Sequence, residues 1–152
     1  MKRAIVYQRG SVILVHPSSR TTEGVWILSI PCVRLPTDCS DAELGEALQS
    51  ALEGSKASVP HPTQWNGVLE PLLKVADVGA WKTFAKSAVC VEVEQEADGL
   101  NLIPTINRGI NEGFRVDGPK TKSIAMPVSP DHLGASLREA IRLCTRTGTI
   151  RP

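Results

Sequence analysis

Alternation between apolar and polar residues predicts β-strands in the first third of the chain. β-branched residues are frequent there and turn-forming residues separate the runs, which is typical of an antiparallel meander. The predicted strands cover residues 4–7, 11–16 and 25–30, with turns at residues 8–10 and 17–24.

The same period-two pattern returns at Val89 and predicts a second group of strands. Val89, Val91 and Val93 are expected to point inward, and Cys90, Glu92, Glu94 and Glu96 to lie on the other face of the strand. Asp98-Gly99 is a hairpin signal. Residues 100–106 are therefore the predicted return strand, followed by short strands at 114–116 and 123–126.

Helical spacing of apolar residues predicts two long helices. The first begins after Ser40, which together with Glu43 forms a capping box, and it stops at Gly54. The last helix covers residues 130–145, with Ser129 as N-cap and Pro130 in its first turn. Shorter helices are expected near residues 65–73, interrupted or started by Pro71, and near residues 81–88, which Gly79 precedes.

The two long helices resemble each other, since each carries a Leu-Gly pair (Leu44-Gly45 and Leu133-Gly134) early in its apolar stripe. Glycine inside a helix costs about 1 kcal/mol relative to alanine. Its presence at both places predicts close packing of helix backbone on the sheet. The similarity indicates either an internal duplication or a chance likeness between amphipathic helices. Both interpretations give a single α+β domain, residues 1–152, with helices packed on an antiparallel meander sheet.

Composition narrows the functional classes. The chain has 152 residues, 41% apolar, 22% charged and only 4% aromatic, with a net charge of +1. A nucleic-acid binder normally has a basic excess, so direct nucleic-acid binding is not expected. Because no apolar run has the length of a signal peptide or a membrane span, we expect a cytoplasmic protein without a membrane partner.

Catalytic and metal-binding signatures are not evident. His16, His61 and His132 are scattered, and His16 and His61 are expected to be solvated beside prolines in turns. The four cysteines lack zinc-site spacing, so neither a metal nor another cofactor is expected. Cys32 and Cys39 are predicted to be reduced thiols, although they could approach each other. We therefore expect that the chain is not an enzyme. The alternative is a small enzyme with an unrecognised active site that includes His61 or His132.

Acidic residues supply the most distinctive local feature. Glu92, Glu94 and Glu96 project from one face of the strand that is predicted to begin at Val89, and Asp98 follows them in the turn. They form either the solvated face of a sheet or a surface that binds a basic partner. Asp41 and Glu46 belong to a second acidic group in the first helix, where negative charge also complements the helix dipole.

Three segments together resemble the immunity proteins of bacterial contact-dependent growth inhibition systems, the CdiI-type family. The matching segments are residues 44–55, the Gly79-Ala80-Trp81-Lys82-Thr83-Phe84-Ala85-Lys86-Ser87-Ala88 stretch, and residues 133–141. These are mostly packing residues, so the resemblance concerns the fold more than a site.

The resemblance implies an antitoxin that binds the C-terminal toxin domain of a cognate effector in a 1:1 complex. Such toxins are frequently nucleases, including tRNases, and the antitoxin blocks the active site or the approach of substrate. The acidic residues Glu92, Glu94, Glu96 and Asp98, followed by Asp41 and Glu46, are the predicted toxin contacts. A cytoplasmic adaptor or regulatory subunit that binds another protein is the alternative function.

Overall fold

The computed structural model describes residues 1–147 and has the mixed α+β architecture that the sequence predicts. These residues form the strands β1 (Lys2–Arg9), β2 (Val12–Arg20), β3 (Trp26–Leu28), β4 (Val33–Pro36), β5 (Val89–Gln95), β6 (Gly99–Asn107), β7 (Phe114–Val116), β8 (Lys122–Ala125) and β9 (Thr145–Arg146). They also form the helices α1 (Asp41–Glu53), α2 (Glu70–Ala76), α3 (Trp81–Ser87) and α4 (Pro130–Leu143), and a 3-10 turn at Gly118–Lys120.

The strands join into one curled sheet with the order β3-β2-β1-β5-β6-β7. β4 also pairs with β2, while β8 and β9 pair with β6. All of these pairings are antiparallel except that of β9 with β6. β1 and β5 lie at the centre, where Ile5 is directly opposite Glu92.

The first face of the sheet carries the main core and is covered by α1 and α4. Val6 and Val91, opposite each other in β1 and β5, are fully buried in this core, as is Val93. They pack with fully buried leucines of the two helices: Leu44, Leu48, Leu133 and Leu137. The predicted inward direction of the β5 valines is therefore confirmed.

Both long helices begin where their capping signals predict. The Ser40 hydroxyl accepts the N–H of Glu43, and the Glu43 carboxylate accepts the N–H of Ser40. The Ser129 hydroxyl accepts the N–H of His132 at the start of α4. Each cap satisfies donors that the first turn of a helix would otherwise leave unpaired.

The chain folds as two halves with the same topology. In the first half, β3 pairs with the C-terminal part of β2 and β4 with its N-terminal part; α1 follows. In the second half, β7 and β8 pair with β6 in the same way, and α4 follows. The distance along the sequence from the start of β2 to the start of β6 is the same as the distance from Ile5 to Glu92. A pseudo-two-fold axis thus passes between these two residues and relates α1 to α4.

Gly45 and Gly134 bring the two long helices into backbone contact. A Cβ on Gly45 would overlap the carbonyl oxygen of Pro130, and a Cβ on Gly134 would overlap that of Asp41. Each glycine faces the first turn of the opposite helix, as the pseudo-two-fold requires. The prediction that these glycines pack a helix on the sheet was wrong about the partner, which is the other helix.

β2 runs through Pro17 as far as Arg20, although the sequence predicts a turn from residue 17. Pro17 lies between the part of β2 that pairs with β3 and the part that pairs with β4, so no ladder bond requires its missing N–H. Its carbonyl accepts the N–H of Ser29 at 2.9 Å. Pro104 has the equivalent place in β6, where its carbonyl accepts the N–H of Asp117 at 2.8 Å. The turn prediction was therefore wrong for residues 17–20, and the following strand is shorter than predicted.

The second face of the sheet is covered in part by α2 and α3. Tyr7 is buried there and packs edge-on against Phe84, with ring centres 5.0 Å apart. Buried apolar residues of both short helices complete this cluster: Leu72, Leu73, Ala76 and Phe84. Among residues 1–147, no helix has the length and hydropathy needed to cross a membrane.

Candidate functional site

The four acidic residues Glu92, Glu94, Glu96 and Asp98, here named the acidic ridge, run from the sheet to the tip of a hairpin. Glu92 and Glu94 lie on β5, while Glu96 and Asp98 belong to the turn between β5 and β6. The N–H of Glu96 donates to the carbonyl of Gly99 at 2.9 Å and closes this turn. Exposure increases along the ridge, since Glu92 and Glu94 are half-buried and the two turn residues are exposed.

Glu92 is part of an internal ion pair. Its Oε1 lies 2.5 Å from a guanidinium nitrogen of Arg3, and the two side chains are only 17% and 18% exposed. Burial raises the pKa of Glu92, Arg3 opposes that shift, and the charge of Glu94 adds to it. The partner of Glu92 is thus supplied by β1, and the exposed charge of the acidic ridge comes from its last residues.

Asp41 and Glu46 lie on the other side of the sheet, in α1. Asp41 accepts a hydrogen bond from Nε of Arg138 at 2.8 Å, and the Arg138 guanidinium also donates to the carbonyls of Thr37 and Cys39. Glu46 is exposed on α1. The structure therefore does not bring these two acids together with the acidic ridge.

A cavity of about 260 Å³ opens on the second face of the sheet, next to the Arg3–Glu92 pair. Ile5 separates His16 on β2 from Glu92 on β5, because it lies opposite both residues. Aromatic side chains form much of the wall: Tyr7, Trp26, Trp81 and Phe114. The Arg3 guanidinium carbon lies 5.7 Å from the centre of the Trp26 ring, within the range of a cation–π contact. We name this cavity the aromatic pocket.

His16 is a buried wall residue of the aromatic pocket, only 3% exposed. Its Nδ1 lies 2.6 Å from the carbonyl oxygen of Pro17, which can only accept, so Nδ1 carries the proton. Burial lowers the pKa of His16 to about 4, partly opposed by that hydrogen bond. The imidazole is therefore neutral near pH 7, with Nε2 as a bare acceptor. The prediction that His16 is solvated was wrong, because β2 does not end at Pro17.

Two buried polar atoms of the aromatic pocket have no hydrogen-bond partner within the described chain. They are Nε2 of His16, an acceptor, and Nε of Arg3, a donor. Buried polar groups in native proteins are almost always paired, with protein or with another molecule. One donor and one acceptor next to the aromatic pocket are therefore buried without a partner.

The other residues considered for chemistry are dispersed. His132 is exposed, and Nδ1 of His61 lies 2.9 Å from the Thr21 hydroxyl. Cys32 packs with the second-face cluster and Cys39 with the first-face core, and both are free thiols. Within residues 1–147, no group of three His, Cys, Asp or Glu side chains could hold a metal ion.

Sequence reasoning found the acidic ridge but missed the aromatic pocket. Arg3 and His16 belong to strands on either side of the turn near residue 10, and Glu92 comes from the other half of the chain. A detectable signal was the run Ile13-Leu14-Val15-His16, whose alternation places His16 and Leu14 on the same face. Reading that strand through Pro17 would have predicted a histidine inside the sheet.

The fold and this site define a class: a two-half α+β protein with a curled sheet, an acidic hairpin tip and an aromatic pocket. A chain of the CdiA-CT/CdiI toxin and immunity complex from Yersinia pseudotuberculosis shares this fold, with a TM-score of 0.77 and 19% identity over 94% of this chain and 97% of that chain. A Neisseria meningitidis protein of unknown function shares it as well, with a TM-score of 0.76 and 15% identity over 94% of both chains. No protein-family model matches the sequence, and no curated protein is significantly similar to it.

Proposed function

We propose that this chain is an immunity protein that binds and neutralises the C-terminal toxin domain of a cognate contact-dependent growth inhibition effector. The observation that carries the proposal is the fold shared with a chain of the CdiA-CT/CdiI complex over nearly the whole length of both chains. The resemblance of three sequence segments to CdiI-type immunity proteins concerns the same fold and agrees with the proposal. The proposed action is stoichiometric binding in the cytoplasm, without catalysis by this chain.

The acidic ridge is the proposed toxin contact, with a nuclease or tRNase as the proposed toxin. A nuclease presents a basic surface to its substrate, and carboxylates at a protruding turn complement such a surface. The net charge of the chain is only +1, so any charge complementarity has to be local. Glu94, Glu96 and Asp98 are more available than Glu92, whose charge is already met by Arg3.

Asp41 and Glu46 remain a second proposed contact, on α1, which covers the first face of the sheet. Glu46 is exposed, whereas Asp41 is held by Arg138. A partner that covers the hairpin tip would not have to reach them. Substitutions at the two places therefore distinguish the two surfaces.

A growth experiment tests the function. Cells that express the toxin domain encoded immediately upstream of this chain are expected to grow only when the chain is co-expressed, and the two proteins are expected to copurify. Continued growth inhibition, together with separate elution of two folded proteins, would overturn the proposal.

Charge reversal tests the acidic ridge. The double variant Glu96→Lys/Asp98→Lys is expected to weaken toxin binding by roughly 2–5 kcal/mol, the range for losing close charge pairs in tight complexes. Glu70→Lys/Glu112→Lys makes the same change of charge at exposed positions on α2 and between β6 and β7, and it is expected to bind normally. Equal binding by both double variants would remove the ridge from the interface, and a selective effect of Glu46→Lys would move the interface to α1.

A further inference from the structure

Aromatic side chains are concentrated on the second face of the sheet. Among residues 1–147, the main core on the first face contains no Phe, Tyr or Trp. The aromatic pocket, in contrast, is lined by Tyr7, Trp26, Trp81 and Phe114. Trp26, Trp81 and Phe114 are only half-buried, so the chain leaves part of its largest apolar side chains exposed in one place. Such a group of partly exposed aromatic rings is typical of the centre of a protein–protein interface.

The helices α2 and α3 pack on one end of this face only. The sheet residues in their cluster are Ile5, Tyr7, Leu14 and Cys90. Farther along the same face, Arg3, Glu94 and Asn101 keep part of their surface exposed. The sheet surface beyond the aromatic pocket therefore lies outside the cluster that α2 and α3 form.

The aromatic pocket and the acidic ridge are parts of one continuous surface. Glu92 belongs to both, since it lines the pocket and begins the ridge. Glu94 lies two residues further along β5, on the same face, and directly opposite Asn101 of β6. Asn101 lines a groove of about 330 Å³ together with Glu96 and Asp98. An apolar depression at one end is thus joined along β5 to exposed carboxylates at the hairpin tip.

The two ends of this surface favour different side chains of a partner. Arg3 and Glu92 both line the pocket and neutralise each other at 2.5 Å, so a charged side chain would lose its hydration there without gaining a free counter-charge. The pocket therefore favours an apolar side chain. Its volume of about 260 Å³ lies below the range of about 300–1,000 Å³ for drug-sized ligands, which suits a protruding side chain better than a whole ligand.

The exposed carboxylates of Glu96 and Asp98 favour Lys or Arg on the partner. Four residues separate Glu92 from Glu96, which corresponds to roughly 13 Å along an extended strand. A matching partner therefore carries an apolar side chain and, at about that distance, basic side chains.

We propose that the toxin domain docks from the aromatic pocket to the hairpin tip, with a large apolar side chain in the pocket and basic side chains against Glu94, Glu96 and Asp98. The inference rests on the proposed function, because its occupant is the toxin domain. Side chains that fill a desolvated pocket carry most of the energy of a protein complex and slow its dissociation, whereas exposed charges speed association and fix the register. The aromatic pocket is thus the anchor of the complex, and the toxin lies on the second face, away from Asp41 and Glu46 on α1.

Binding kinetics with the purified toxin domain encoded immediately upstream test the proposal. Leu28 is a half-buried wall residue of the pocket on β3, and Leu28→Arg puts a long charged side chain there. This variant is expected to bind the toxin about 30-fold more weakly or worse, mostly through faster dissociation. Leu143→Arg makes the same change at an exposed position on α4 and is expected to bind as the original chain does.

A second measurement needs no substitution in the pocket. In the chain labelled with 5-fluorotryptophan, the ¹⁹F signals of Trp26 and Trp81 are expected to differ between ordinary and heavy water, because both rings are partly exposed. Toxin binding is expected to reduce this difference for both signals as the rings lose contact with solvent. The measurement keeps the test valid even if Leu28→Arg folds poorly.

The outcomes separate this inference from the proposed function. Failure of the original chain to bind the toxin would overturn both. Tight binding by the original chain, together with equal affinities of Leu28→Arg and Leu143→Arg or with unchanged solvent effects on Trp26 and Trp81, would overturn the docking surface and leave immunity standing. A dimer of the chain alone that Leu28→Arg dissociates would assign the pocket to a second copy and would also overturn the inference.

Discussion

Gly45 and Gly134 show how a single missing methyl group can set the distance between two helices. Each glycine lies against a backbone carbonyl in the first turn of the opposite helix, and a backbone atom cannot move aside as a flexible side chain can. The apolar stripes of the two helices predict which helix face is buried, and the two glycines lie on that face. Which surface the glycines meet depends on the tertiary arrangement, and the local sequence does not contain that information.

Gly45→Ala is expected to destabilise the protein by about 3 kcal/mol, because overpacking against backbone outweighs the roughly 1 kcal/mol that alanine gains in a helix. Urea unfolding of the purified variant measures this change. Ser50→Ala, at an exposed position of the same helix, is the control and is expected to be within about 0.5 kcal/mol of the original chain. A more stable Gly45→Ala variant would contradict the close helix contact.

His16 makes stability depend on pH. Its folded-state pKa of about 4 lies below the unfolded value of 6.5, so the unfolded chain binds the proton more readily between those values. The stabilisation is complete above pH 6.5 and is lost as the pH falls toward 4. Between pH 7.5 and 5, the free energy of unfolding is expected to fall by roughly 2 kcal/mol from this residue.

Comparison with His16→Phe isolates that contribution. The pKa of Glu92 is raised in the folded state, so its protonation acts in the opposite direction and is present in both proteins. The unfolding free energy of His16→Phe is expected to decrease less between pH 7.5 and 5 than that of the original chain. Equal slopes for His16→Phe and the original chain would mean that His16 is not buried as a neutral ring.

At the scale of elements, α4 anchors the segment that leads into α1 through one arginine. Nε of Arg138 donates to Asp41 at 2.8 Å, and its other nitrogens donate to the carbonyls of Thr37 and Cys39. The planar guanidinium matches several acceptors at once, which an ammonium group cannot do. The contact joins the two halves of the chain beside the glycine crossing.

Arg138→Met is expected to cost about 2 kcal/mol in the free energy of unfolding, since hydrogen bonds to charged groups contribute about 1.5–3 kcal/mol. Chemical denaturation measures this loss. Arg142→Met removes an exposed arginine one turn later and is expected to change stability by less than about 0.5 kcal/mol. Equal stability of the two variants would show that the Arg138 contacts contribute nothing measurable.

Local sequence signals predicted most of these elements because capping and period-two alternation act within a few residues. Ser40 and Ser129 marked the helix starts, and the valines of β5 marked the buried face. The rule that proline ends a strand failed at Pro17, since this residue falls between two short partner strands that the local sequence does not place. The burial of His16 was missed for the same reason.

At the scale of the whole molecule, the acidic ridge and the aromatic pocket have different positions relative to the pseudo-two-fold axis. The acidic ridge ends in the hairpin between β5 and β6. The aromatic pocket lies near the axis, and Ile5 on β1 and its neighbours His16 on β2 and Glu92 on β5 line it. The Leu-Gly similarity indicated that the two halves share a topology, but the pocket depends on side chains from both halves. Only their assembly brings Arg3, His16 and Glu92 together.

The most direct measurement of the proposed function is a titration of the purified toxin domain with the purified chain while toxin activity is recorded. We expect toxin activity to fall in proportion to the added chain and to reach zero at one chain per toxin, with a Kd in the nanomolar range or tighter, near −12 kcal/mol. Full toxin activity in the presence of excess folded chain would contradict immunity. Loss of activity at far less than one chain per toxin would indicate catalysis in place of stoichiometric binding.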